Sequence, residues 1–70
     1  MRYAVLYERN PDGTVSAMVP DLPGCVAAAD TIEEARELIK EAVTLHIAGL
    51  REDGDPIPPA VTEADYVDAA

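Results

Sequence analysis

Residues 31–54 read TIEEARELIKEAVTLHIAGLREDG, and this stretch decides the fold. Thr31, with Glu34 three residues on, forms a capping box: the Thr31 hydroxyl accepts from the Glu34 amide while the Glu34 carboxylate reaches back to Thr31. Glu33 and Glu34 suit the positive end of the helix dipole. Asp53-Gly54, with Pro56 beyond, marks the stop. The pattern predicts a helix from Ile32 to about Glu52, roughly 30 Å long at 1.5 Å per residue, close to the full width of so small a domain. At about 100° per residue, Ile32, Ala35, Ile39, Ala42, Val43, His46 and Leu50 fall on one core stripe. Leu38, Leu45 and Gly49 lie beside it, and Glu33, Glu37, Lys40, Glu41, Thr44 and Arg51 face away. The apolar arc spans about 200°, wider than one sheet face requires. The surplus, Leu38 and Leu45 one heptad apart, marks a candidate subunit contact.

What precedes the helix reads as strands. From Arg2 to Arg9, Tyr3, Val5 and Tyr7 alternate with Ala4 and Leu6. Asn10-Pro11-Asp12-Gly13 is a turn, with Pro pre-set in φ and Gly free to take positive φ. Thr14 to Val19 returns as the second arm of a hairpin, apolar on both faces. Pro20-Asp21-Leu22-Pro23-Gly24 cannot continue a central strand, because two prolines lack amide donors. Cys25 to Ala29 reads as a short third strand of small residues. After the helix, residues 54–61 are a proline-punctuated connection, and 62–70 are a short tail in which Asp65-Tyr66-Val67-Asp68 offers a fourth strand beside the first. The expectation is one α+β domain over residues 1–70: a small antiparallel sheet of three to four strands with one long helix on one face, in the order β-β-β-α-β.

Seventy residues with three tyrosines and no Trp or Phe supply few large core pieces. Ordering such a chain costs on the order of 100 kcal/mol, which apolar burial barely offsets, so self-association is expected to contribute stability. One cysteine forbids an internal disulfide, no Cys/His cluster offers structural zinc, and no apolar run approaches the roughly 18 residues of a membrane span. A two-domain enzyme, a disulfide-stapled module and a membrane-spanning protein are thereby excluded. With no leader-like apolar run after Arg2, a cytoplasmic location is expected. The net charge of −9 is uneven: residues 1–29 carry −1, and residues 30–70 set eleven acids against Arg36, Lys40 and Arg51. Such a chain repels phosphate and makes a poor direct partner for nucleic acid, but a good one for a basic protein.

Candidates for chemistry are few. His46 is the sole histidine and sits on the apolar stripe, where packing explains it better than catalysis. Cys25 lacks a neighbouring base and reads as a buried thiol. Converging carboxylates would make a metal-dependent nuclease, yet only Glu8 lies well inside a strand, and Glu33, Glu37 and Glu41 form an outward ridge. No catalytic residue, metal ligand or cofactor site is assigned.

The order of motifs carries a resemblance: an N-terminal hairpin, then Val19-Pro20-Asp21-Leu22-Pro23-Gly24-Cys25, Asp30-Thr31 with Glu33-Glu34-Ala35, Glu41-Ala42 with Leu45-His46, and Gly54 with Pro56-Ile57-Pro58-Pro59. Over about residues 2–60 the chain resembles the HicB antitoxin family, the labile half of HicA–HicB toxin–antitoxin pairs. The resemblance implies a partial ribonuclease-H-like fold. It also implies a partner, a small basic HicA-type ribonuclease that cleaves mRNA and is blocked by protein–protein contact. Asp21, Glu33, Glu37 and Glu41 are then the candidate acidic contacts, and Leu38 and Leu45 the candidate oligomer contacts of a dimer or higher form. Many members carry a C-terminal DNA-binding segment. Residues 60–70 hold no sequence that builds one, so specific operator binding by these seventy residues is not expected. The alternatives are an orphan oligomeric regulatory domain without a toxin and, more remotely, a nuclease depending on Glu8.

Overall fold

A computed structural model describes residues 1–70. Three strands, β1 (Leu6–Arg9), β2 (Val15–Met18) and β3 (Val26–Ala29), are followed by one helix, α1 (Ile32–Glu52). The sheet is an antiparallel meander in the order β1-β2-β3, and α1 lies across β2 and β3. The ladder places Tyr7 opposite Ala17 and Ala17 opposite Ala27, so these side chains share the face under the helix. Val15, Ala17 and Val19 on that face join Leu22, Cys25, Ala35 and Ile39 in the buried core.

Each boundary has a local cause. In the hairpin turn the Asn10 amide donates to the Thr14 carbonyl at 2.8 Å and the Gly13 amide to the Asn10 carbonyl at 3.0 Å, with Gly13 at φ 91°. The Asp12 carboxylate accepts from the Thr14 amide at 2.9 Å and the Thr14 hydroxyl at 2.6 Å, and these bonds hold its pKa below the usual aspartate value. The Thr31 side chain accepts from the Glu34 amide at 3.2 Å as the capping box predicts. The Glu34 carboxylate, however, returns to the Thr31 hydroxyl at 3.4 Å rather than to its amide. At the other end the Gly54 amide donates to the Arg51 carbonyl at 3.2 Å and the Asp55 amide to the Leu50 carbonyl at 2.9 Å. Gly54 at φ 71° completes this Schellman stop.

The first strand is shorter than its alternation suggests, beginning at Leu6 rather than Arg2. Leu6 pairs with Met18, so continuing the register would set Ala4 against Pro20, which has no amide to offer. Residues 62–70 add no strand to the sheet, although their attachment to the domain is specific, as described below. The stripe on α1 is buried in full only at Ala35 and Ile39, while Ile32, Ala42, Val43, His46 and Leu50 are half-buried. The strands are four residues long, about 13 Å at 3.3 Å per residue, and a helix of 21 residues overhangs them. Ile47, off the predicted stripe, also packs on the core.

Candidate protein-interaction surfaces

The loop between β2 and β3 is the most structured irregular segment. The Val19 amide donates to the Cys25 carbonyl at 3.1 Å, the Leu22 amide to the Val19 carbonyl at 3.1 Å, and the Cys25 amide to the Leu22 carbonyl at 3.0 Å. These bonds leave Pro23 exposed and turn Leu22 inward until none of it is exposed. Gly24 takes φ 85°, a conformation that a side chain would strain. Cys25, at the end of the loop, is buried, and desolvation raises its thiol pKa. It packs in the core as a thiol, the form that desolvation favours.

Asp21, on the outer side of this loop, anchors the segment that follows the helix. One carboxylate oxygen accepts from the amides of Val61 and Thr62, both at 2.9 Å, and the other from the Thr62 hydroxyl at 2.7 Å. The Tyr3 hydroxyl donates to the Pro58 carbonyl on the same return path. The Thr62 hydroxyl, followed by the two amides, holds the Asp21 carboxyl below its usual pKa. A depressed folded-state pKa contributes stability that is present above the unfolded value and lost as pH falls through the folded one. The Val61 and Thr62 amides should therefore be slow to exchange with solvent at neutral pH. They should lose protection in Asp21→Ala, and their NMR resonances should titrate below the ordinary aspartate range. Rapid exchange of both amides in the unaltered protein would show that the anchor does not form.

Three surfaces remain for a partner. The first is the outer side of α1. Glu33, Glu37 and Glu41 are all exposed there, but the ridge is not uninterrupted: the Lys40 ammonium lies 3.9 Å from the Glu37 carboxylate, both well exposed. Leu38 is 41% and Leu45 72% exposed. With Glu34 and Glu41 they form a row at spacings of four, three and four residues, which lines them up on one side of the helix. The second is the face of the sheet turned away from α1. By register it carries Leu6, Met18 and Val26 in one row and Glu8, Ser16 and Ala28 in the next. The third is a shallow groove where Tyr3, Val5 and Tyr7 meet α1, bordered by Arg2, Arg36 and Lys40. The Arg36 guanidinium stands 5.9 Å from the centre of the Tyr7 ring, within cation–π range. Nowhere do three or more His, Cys, Asp or Glu side chains converge as metal ligands do. No helix is long and apolar enough to cross a membrane.

The molecule thus presents three surfaces, one on the helix, one on the sheet and one between them. The chain belongs to the HicB-like antitoxin family of bacterial toxin–antitoxin systems, whose sequence profile it matches over residues 3–70. It is 40% identical over 67 residues to an uncharacterized 14.9 kDa protein of the rep–hol intergenic region of Haemophilus phage HP1, covering 96% of this chain and 50% of that one. It is 37% identical over 65 residues to a UPF0150 protein of Archaeoglobus fulgidus, covering 90% of this chain and 94% of that one. It is also 36% identical over 69 residues to Antitoxin HicB 1 of Photorhabdus laumondii, covering 97% of this chain and 44% of that one. The chain therefore spans about half the length of the phage and Photorhabdus relatives and nearly all of the archaeal one.

Proposed function

We propose that this protein is an antitoxin module that binds and blocks a small basic HicA-type toxin in the cytoplasm, acting by contact and not by catalysis. Membership of the antitoxin family supports the role. The observation that carries the contact is the row on α1 in which Leu38 and Leu45, both exposed, alternate with Glu34 and Glu41. The two leucines supply apolar surface for a partner to bury. The acids supply a field that draws in a basic surface and repels the RNA competing for it. Asp21 has its carboxylate engaged by Val61 and Thr62 and supports the surface rather than meeting the toxin.

Exposed charges contribute less than about 1 kcal/mol each to affinity and act mainly on association rate. Changing Glu33, Glu37 and Glu41 together to Gln should slow association with the toxin several-fold at low salt and much less at high salt, where the Debye length shortens. The fold should be unchanged, since all three side chains are exposed. Stopped-flow mixing with the product of a short basic reading frame beside this gene is the test. An association rate that is unchanged at low salt would remove the glutamate ridge from the interface.

A further inference from the structure

Because α1 lies across β2 and β3, the helix-side face of the N-terminal segment is left without a roof. Tyr3, Val5 and Tyr7 alternate along that segment and are only half-buried. With Ile39 and Val43 of α1 they line the groove whose rim carries Arg2, Arg36 and Lys40. The charge of this groove is opposite to that of the molecule. Acids outnumber bases fourteen to five over the whole chain, yet three of the five bases line the groove and no acid does. Arg36 and Lys40 stand one helical turn apart on the same flank of α1, and both are exposed.

The acids around the groove stand outside its lining. Glu37 lies 3.9 Å from Lys40 but, like Glu33, belongs to the outward ridge of α1. Glu63 and Asp65 line an adjoining hollow that shares Arg2, Tyr3 and Val5. These four carboxylates oppose the approach of a dense polyanion, so a ligand suited to the groove combines a few negative charges with apolar groups that Tyr3, Val5 and Val43 can cover.

We propose that this groove docks a short acidic segment of another protein, with its carboxylates held by Arg2, Arg36 and Lys40 and an apolar side chain between them seated against Tyr3, Val5 and Val43. An arginine fork takes a carboxylate through two parallel hydrogen bonds. Nucleic acid suits the groove less well. The Arg36 guanidinium stands 5.9 Å from the centre of the Tyr7 ring, over the kind of face on which a base would stack, and a charge at every nucleotide meets a chain of net charge −9. A basic toxin is repelled here, so the site is separate from the acidic row on α1 and does not rest on the toxin reading.

Random peptides displayed on phage and selected on the immobilised protein supply the probe. The recovered sequences should be rich in Asp and Glu and carry at least one aromatic or long aliphatic residue. A fluorescein-labelled synthetic copy should bind more weakly as salt rises and the Debye length shortens. Arg36→Glu with Lys40→Glu should weaken it about 10-fold or more. Lys40→Glu alone leaves the Arg36–Tyr7 contact in place, should weaken binding about 3-fold, and keeps the test decisive if the double variant does not fold. In isotope-labelled protein the peptide should move the amide resonances of Tyr3, Tyr7, Arg36 and Val43 and leave those of Val26 and Glu34 in place. Selection that yields basic peptides or none, or acidic peptides indifferent to both variants, would overturn the proposal. So would a single-stranded oligonucleotide that binds the same groove more tightly than the peptide. Self-association of the free protein that these substitutions dissolve would likewise overturn it, by making the groove a contact between copies of this chain.

Discussion

Leu22→Ala is expected to remove about half of the stability of this domain. Leu22 is fully buried and is among the largest side chains that are, in a chain without Phe or Trp. Emptying such a site costs about 2–5 kcal/mol, the lost transfer energy plus the cavity left behind. A domain of 70 residues has roughly 3.5–10 kcal/mol in all. The site cannot readily collapse, because the loop is held by the Leu22 amide on the Val19 carbonyl and the Cys25 amide on the Leu22 carbonyl. Urea denaturation followed by circular dichroism, at fixed protein concentration because self-association shifts the midpoint, should show a loss of about 3 kcal/mol, or a chain already unfolded in buffer. A loss below about 1 kcal/mol would mean that the loop is not part of the core. The loop matters beyond its own packing. It carries Asp21, which fixes the path of the segment that follows the helix.

Leu38→Glu with Leu45→Glu should abolish toxin inhibition at concentrations where the unaltered protein is fully effective. Burying what each leucine still exposes, 41% of Leu38 and 72% of Leu45, is worth about 1–2 kcal/mol, so losing both raises Kd by about 30-fold or more. The direction discriminates between mechanisms. If charge alone held the toxin, two added carboxylates would tighten the complex; if the leucines are anchors, they weaken it. Both side chains are exposed in the single chain, so stability should change by no more than about 0.5 kcal/mol. Isothermal titration with the toxin gives the affinity, and light scattering on the same variant shows whether the free protein keeps its oligomeric state. A variant that falls to monomers would instead make Leu38 and Leu45 subunit contacts.

The helix was fully legible in the sequence because its signals are local. Thr31 and Glu34 cap it, Gly54 ends it, and the apolar spacing between them repeats at a helical period, so the bounds Ile32–Glu52 follow without tertiary information. The two hairpin arms and the small-residue third strand were legible for the same reason. What the sequence hid depends on distance. The loss of strand at residues 2–5 is dictated by Pro20 on the neighbouring strand, not by anything within that segment. Leu22 sits between two prolines where a surface turn is the natural reading, and only the loop hydrogen bonds turn it inward. Ile47 lies off the ideal stripe, yet it packs on the core of a helix that overhangs a short sheet. Of the candidate site, the outward placement of Glu33, Glu37, Glu41, Leu38 and Leu45 could be read from the wheel. The pairing of Lys40 with Glu37, which divides the ridge, follows from side-chain geometry. The engagement of Asp21 with residues 40 and 41 positions away has no local signal.

Under the proposed function, this acidic surface occludes the RNA-binding surface of a basic toxin. The most direct measurement follows cleavage of a labelled RNA by a HicA-type toxin while this protein is added in steps. Cleavage should fall linearly to zero at a fixed molar ratio, and raising the RNA concentration should slow the onset of inhibition, because the two compete for one surface. Cleavage that continues undiminished in molar excess of this protein, at physiological salt, would contradict the account.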